Sequence, residues 1–317
     1  MAEARLRIGV SSCLLGNGVR YDGGHKRDAF LVDQLGPFVE WVPVCPEVEA
    51  GLGTPRPSIQ LVEEGGALRA LETRSRRDRT RALERQARAR VRDLRGLDLA
   101  GYVLKRDSPS CGMERVRVHR EGQPVRRDGR GLFAAALLEA MPDLPVEEEG
   151  RLHDPRLREN FIERLFAYRR VRDLFAGPWR ARDVVAFHTA HKIQVMAHSN
   201  ESYRELGRLV ARVRELPRAG FRDAYQAGFM GALRRLASRG RVANALHHMT
   251  GHLRGRVSSD DRRELAQLVD DYRAGLVPLV VPLTLLRHHA RACEVDYLLG
   301  QVFLDPHPRE LMLRNHV

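Results

Sequence analysis

Three short apolar runs, each followed by a cysteine, constrain this chain more than any other feature. Arg5-Leu-Arg-Ile-Gly-Val10 has the alternation and β-branched content of a strand and hands over to Ser11-Ser12-Cys13-Leu14-Leu15-Gly16. Residues 38–44 read as a second strand and deliver Cys45; residues 99–104 read as a third, and Lys105-Arg-Asp-Ser-Pro-Ser-Cys111-Gly112 follows it. Residues just past the carboxyl ends of strands face the edge where open α/β sheets bind ligands. The three cysteines lie 32 and 66 residues apart, unlike the close pairs of a zinc ribbon, so only the fold can bring them together. Convergence there would make a three-ligand site with an open position. Soft thiolates select an iron-sulfur cluster, zinc or copper(I), and the alternative is that the cysteines are small buried hydrophobes. Cys293, between Ala292 and Glu294 in a helical stretch, reads as a core residue.

The rest of the first half fits an α/β domain. Residues 28–35 carry Phe30, Leu31 and Leu35 at helical spacing, and runs at 59–62 and 67–71 flank Gly65-Gly66 as a hairpin. Residues 74–95 hold ten arginines against three acids, with Leu83, Ala87, Val91 and Leu94 as a narrow apolar stripe. That pattern predicts an amphipathic helix lying on the sheet with a basic outer face, a solvated surface being the leading reading of most of these arginines and contact with nucleic acid the alternative for some. Gly129-Arg-Gly131 opens a further helix to about residue 139, after which Pro142-Asp-Leu-Pro145 and Glu147-Glu-Glu-Gly150 mark a composition break. From Pro155 onward strand signals nearly vanish, and helical patterns run through 155–176, 181–215, 221–239, 241–255, 260–274, 282–292 and 294–302. The expected architecture is a Rossmann-like, mostly parallel α/β domain over 1–150 and an all-α domain over 151–317.

Charge separates the two halves. The net charge of +13 divides into +2 over residues 1–150 and +11 over 151–317, which favours a polyanionic partner for the second half, solubility of an arginine-rich chain being the alternative. Only Lys26, Lys105 and Lys192 are lysine among 54 basic residues, so each marks a position where a compact ammonium is wanted. No run of eighteen apolar residues and no signal-like start is present, so the expectation is a cytoplasmic protein with no membrane partner.

Several motifs occur in one order: Ser-x-Cys-Leu-x-Gly and Val-Arg-Tyr-Asp-Gly within 11–23, Cys-Pro-Glu at 45–47, Gly-Leu-Gly-Thr-Pro-Arg at 51–56 and Ser-Pro-Ser-Cys-Gly at 108–112. Together they resemble the TudS-type thiouracil desulfidase family. Phe187-His-Thr-Ala-His-Lys192, Met196-Ala-His-Ser199, residues 244–252 and Leu313-Arg-Asn315 resemble the YbgA-like helical domain, and the fusion resembles RudS-type desulfidases of tRNA 4-thiouridine. The resemblance implies a 4Fe-4S cluster on Cys13, Cys45 and Cys111 with one open iron. It also implies hydrolysis of a thiocarbonyl to a carbonyl and hydrosulfide without net redox change. Glu47 is the candidate base, Lys105 the charge stabiliser, Ser108 and Ser110 donors beside Cys111, and Asp22 a further acid/base candidate. Each also has a local role to fill, Glu47 in a first helical turn and the serines as loop caps. Ser12, Lys26 and Arg56 are candidates for substrate or RNA contact. At 3.6 residues per turn His188, His191, Lys192, His198 and Ser199 share a third of the helix circumference; RNA contact is the preferred reading, a metal pair or a core cluster the alternatives. His247, His248 and His252 invite the same three readings. The expected function is thus desulfidation of thiolated uracil, with 4-thiouridine in tRNA the leading substrate. A desulfidase of free thiouracil or thionucleosides, or a non-catalytic iron-sulfur RNA-binding or sensor protein, are the rivals.

Overall fold

A computed structural model describes residues 5–317, which form two compact units, one ending at His153 and one spanning Asp154–Val317. In chain order the first unit runs β1 (Leu6–Ser11), β2 (Val39–Val44), α1 (Pro46–Glu49), β3 (Ile59–Glu64), β4 (Ala67–Glu72), α2 (Thr80–Arg95), β5 (Gly101–Leu104), β6 (Val116–His119), β7 (Arg126–Gly129), α3 (Leu132–Ala140) and β8 (Val146–Glu148). Four strands make a parallel sheet in the order β2-β1-β5-β8, with Ser11 opposite Val44 and Val10 opposite Val103. This register brings the carboxyl ends of β2, β1 and β5 to one edge. The other four make a second sheet, β4-β3-β6-β7, in which only β3 and β6 run parallel.

The first unit is held by burial on the strands of the parallel sheet, on α3 and on the stripe of α2, whose Leu83 packs with Leu61, Ala70, Val116 and Val118 of the second sheet. Ile8, Val10, Tyr102, Val103 and Leu104 are fully buried, as are Phe133, Ala134 and Leu137 on α3, and Leu83, Ala87, Val91 and Leu94 on α2 are nearly so. Each large apolar side chain so buried contributes roughly 1.5–3 kcal/mol. Tyr102 packs on Phe133 with ring centroids 5.6 Å apart, and it lies so close to β1 that a Cβ on Gly9 would stand 2.2 Å from its ring. Only glycine fits beneath it.

Some boundaries differ from the periodicity. The expected helix at 28–35 is a π-turn over Phe30–Leu35 followed by a tight turn over Gly36–Phe38. Helix α2 starts at Thr80 rather than 74, because Leu71 bridges Asp78 and the Asp78 carboxylate accepts the Thr80 N–H at 2.8 Å. Strands β6, β7 and β8 carry no alternation long enough to read, and β7 is Arg-Arg-Asp-Gly.

The second unit is helical, as expected: α4 (Pro155–Phe175), α5 (Ala181–His198), α6 (Asn200–Ala211), α7 (Arg218–Arg234), α8 (Arg239–Gly251), α9 (Ser259–Ala274), α10 (Val280–Ala292) and α11 (Asp296–Leu299). Asp154 caps α4 through the N–H groups of Arg156 and Leu157, with Pro155 at the first position. The continuous pattern at 181–215 breaks at Ser199, whose extended backbone ends α5 and whose hydroxyl accepts the Ser202 N–H at 3.1 Å to start α6. Ile193, Leu246, Met249, Leu265, Leu283 and Phe303 belong to the core. Among the described residues no helix is long and apolar enough to cross a membrane.

Candidate active site

The three strand-end cysteines meet at one cavity of about 420 Å³, on the edge of the parallel sheet with the second sheet along its side. Cys13 sits in a tight turn two residues past β1, Cys45 directly follows β2, and Cys111 returns to the same place on the loop after β5. That loop is closed by Gly112 N–H to Ser108 C=O at 2.9 Å, while the Ser108 hydroxyl accepts the N–H of Cys111 at 3.1 Å. It packs so tightly on the start of α3 that a Cβ on Gly131 would lie 2.5 Å from the Ser110 carbonyl and 2.8 Å from the Cys111 nitrogen.

Burial dominates the thiols. It pushes Cys13 up to about 11 against the pull of Lys105 and Arg20, raises Cys45, and carries Cys111 well above the ordinary range despite a hydrogen bond with Ser11. Two of the thiols also feel neighbouring ones: Cys45 raises Cys13, and Cys45 and Cys13 both raise Cys111. Among the described residues no set of three or more His, Cys, Asp or Glu side chains forms a group able to hold a metal ion. All three cysteines line the cavity wall.

Glu47 lines the cavity two residues after Cys45 and is held from both sides. Its Oε2 accepts Arg56 Nε and Nη2 at 2.9 and 2.8 Å, and its Oε1 accepts the Ser110 hydroxyl at 2.8 Å. Oε2 is thereby saturated, whereas Oε1 keeps one acceptor position. The Arg56 side chain is only 4% exposed and also donates to the carbonyls of Val19 and Gly53, so it is a fixed support. Lys105 also lines the cavity and forms an ion pair with Glu149, whose second oxygen accepts the Arg106 N–H at 2.8 Å. Ser12 also lines the cavity, its hydroxyl accepting from Asn17 at 2.8 Å.

The fold therefore gathers Cys13, Cys45, Cys111, Glu47, Lys105, Ser108, Ser12 and Arg56 around one space, with Ser110 directly behind Glu47. It leaves out Asp22 and Lys26. Asp22 is exposed and accepts the Gly24 N–H at 3.0 Å, so it closes its own turn, and Lys26 is exposed with only its backbone bound to Cys13 C=O at 2.9 Å.

The histidines of the helical unit require a correction too. The carboxyl half of α5 is buried almost all round, so polar side chains there must find partners inside. His191 is 4% exposed, stacks on Phe187 and bonds its carbonyl at 2.7 Å; His198 is 3% exposed and bonds Glu163 at 3.0 Å and Arg235 C=O. Neither can touch RNA. His188 is half-buried against the Tyr225 hydroxyl at 3.2 Å, and Lys192 lies over the Tyr297 ring at 4.7 Å. His247 faces Asp270 at 3.6 Å, while His248 and His252 are exposed, the latter against Tyr297. Cys293 is half-buried and donates to Arg256 C=O.

Two residues of the first unit escaped sequence reasoning. Ser11 accepts the Lys105 N–H at 3.0 Å and bonds Cys111, tying two strands at the cavity floor. Glu149 was hidden in Glu147-Glu-Glu-Gly150, which reads as a polar boundary; parallel pairing of β8 with β5 buries all three carboxylates instead.

Comparison with known proteins bears on the same segments. Residues 8–149 match the family model described as 2-thiouracil desulfurase, and residues 192–308 match a family described as a protein of unknown function, DUF1722. The uncharacterized protein YbgA of Escherichia coli strain K12 is 28% identical over 161 residues, which is 50% of this chain and 95% of YbgA. The uncharacterized protein YbbK of Bacillus subtilis strain 168 is 31% identical over 111 residues, 32% of this chain and 71% of YbbK. Among solved structures, the 4Fe-4S-dependent thiouracil desulfidase TudS is 32% identical, with a TM-score of 0.40 over 47% of this chain and 95% of that one. Through its first unit this chain belongs to the 2-thiouracil desulfurase family, here fused to a YbgA-like helical domain.

Proposed function

We propose that this chain is an iron-sulfur desulfidase that converts 4-thiouridine in tRNA to uridine, with the helical unit supplying affinity for the RNA. The observation that carries the reading is the convergence of three thiols, a doubly supported carboxylate and an ammonium on one cavity of about 420 Å³. Three soft donors lining one such space suit an iron-sulfur cluster, which Cys13, Cys45 and Cys111 would hold. A 4Fe-4S cluster so bound supplies an iron with an open position, a Lewis acid for a soft sulfur atom.

The chain's own residues do the rest. The carbon-sulfur double bond is replaced by a carbon-oxygen double bond from water, leaving hydrosulfide and no net redox change. Glu47 Oε1, its neighbour Oε2 locked by Arg56, accepts a proton from the attacking water at its remaining acceptor position. Lys105 offsets the negative charge that develops on the pyrimidine, and Glu149 keeps the ammonium at the wall. Ser108 and Ser12 supply hydroxyl donors at the rim. The helical unit, at +11 over residues 151–317, supports a polyanionic substrate over a free base.

The test is turnover by the anaerobically purified full chain of tRNA carrying 4-thiouridine beside free 4-thiouracil and free 4-thiouridine, followed by loss of the thiocarbonyl absorbance. The reading expects kcat/KM on the tRNA to exceed both free substrates. Equal or better turnover of a free substrate would assign the enzyme to small molecules; RNA binding without any loss of absorbance would make it a sensor.

A further inference from the structure

Helix α2 is fixed to its unit by buried Leu83, Ala87, Val91 and Leu94 and turns Arg81, Arg85, Arg88, Arg92 and Arg95 outward, all exposed. Steps of four, three, four and three residues keep the five on one face, and the helical rise spreads them over about 21 Å. Arg88 faces Glu84 at 3.3 Å in a solvated pair; among the described residues Arg81, Arg85, Arg92 and Arg95 have no side-chain partner. This is not the general basicity of the chain. Helix α2 holds six arginines against two acids, and without it the first 150 residues would carry two more acids than bases.

The face discriminates among partners. A bilayer takes a basic helix by burying an adjacent apolar stripe, but Leu83, Ala87, Val91 and Leu94 of α2 are already buried in the unit's own core. A row of guanidinium forks one helical turn apart suits a repeating phosphate backbone. Beside the row, Ala135, Ala136 and Ala140 of α3 form with Arg88, Arg92 and Arg95 a groove of about 850 Å³ that Glu84, paired with Arg88, and Glu139 also line, and whose small side chains let a sugar-phosphate chain lie close. The row also begins near the active site. The Thr80 hydroxyl at the start of α2 accepts the Ala70 N–H at 2.9 Å, and Ala70 lies three residues before Thr73, a cavity-lining residue, hence about 10 Å from it along β4 and its end.

We infer that the exposed arginine face of α2 is a phosphate track for the polynucleotide strand flanking the nucleotide in the cavity, so that the catalytic unit itself grips nucleic acid. The inference rests on the polynucleotide reading above and adds a surface that reading does not use. The test compares the full-length holoenzyme with the Arg85→Gln/Arg92→Gln double variant and a charge-preserving Arg85→Lys/Arg92→Lys control. Readouts are tRNA affinity against salt concentration and turnover of free 4-thiouridine. Loss of two phosphate contacts lowers the slope of log affinity against log salt by about 2 and weakens tRNA binding by about tenfold at low salt. The lysine control keeps the slope, and free 4-thiouridine is turned over at the wild-type rate by all three proteins. An unchanged slope in the glutamine variant would overturn the track while leaving the tRNA reading intact. So would binding to vesicles of equal phosphatidylglycerol and phosphatidylcholine that the variant loses while its tRNA slope stays. A wild-type chain that fails to bind tRNA at any salt concentration would take the substrate reading down as well.

Discussion

Replacing Glu149 by Gln tests the link between the buried edge strand and the chemistry. The Glu149 and Lys105 side chains are 10% and 15% exposed, so the ion pair is largely out of water. Removing one partner of a buried pair costs about 3–5 kcal/mol when the other charge is stranded. Here the loss is smaller. Gln keeps an oxygen for the Arg106 N–H, held at 2.8 Å, and the ammonium still reaches Arg106 C=O at 3.1 Å, which brings the expected cost to roughly 2–3 kcal/mol. For a unit of this size that corresponds to a fall in Tm of about 4–12 °C. Catalysis should suffer more than binding, because an ammonium displaced by about 1 Å costs on the order of a hundredfold in rate. The assay is a thermal melt of the Glu149→Gln chain together with kcat and KM on 4-thiouridine substrates. A variant with wild-type Tm and kcat would refute both the energetic weight of the pair and the placement of Lys105 in the mechanism.

Other expectations follow from single observations. Gly131→Ala forces a methyl group onto the Ser110–Cys111 backbone and should cost about 1–3 kcal/mol, with loss of bound iron, read by melting and metal analysis. Alanine at Cys13, Cys45 or Cys111 should remove the cluster chromophore and the activity together, whereas Cys293→Ala, in the helical unit, should keep both. The Glu163–His198 pair predicts how the stability of the helical unit varies with pH. Burial alone would raise Glu163, but His198, Arg314 and Gln194 bring it down to about 2, below its ordinary 4.5. Its contribution is therefore present above pH 4.5 and is lost as the pH falls toward 2. Burial alone would lower His198, but Glu163 raises it above 6.5, so its contribution is complete below 6.5 and is lost as the pH rises through the raised value. Thermal melts should show a plateau between about pH 4.5 and 6.5 that Glu163→Gln flattens; identical profiles for the two proteins would contradict the pairing.

Which parts of this architecture could be read from residues alone has a physical reason. Cys13, Cys45 and Cys111 come after β-branched or apolar runs that read as strands, and parallel strands share an exit edge, so their meeting was legible. Residues 146–148 were not: a strand of one valine and two glutamates has no apolar signal, and its buried carboxylates are answered by Arg151 at Glu147 and the Met113 N–H at Glu148, as Lys105 answers the adjoining Glu149. The α5 histidines failed for the complementary reason. Periodicity put His191 and His198 on one face correctly, but a polar face reads as outward unless the partner, here Glu163 on another helix, is known. Asp22 was misplaced because a carboxylate in a Gly-rich loop looks the same in sequence whether it caps its turn or enters a cavity.

The central claim is that the three cysteines together hold one iron-sulfur cluster, and metal and sulfide analysis of the anaerobically purified chain beside its Cys13, Cys45 and Cys111 alanine variants tests it most directly. The account predicts about four iron and four sulfide per wild-type chain and near-complete loss in each variant. A wild-type chain with a single metal ion, or variants that retain the full complement of iron, would contradict it.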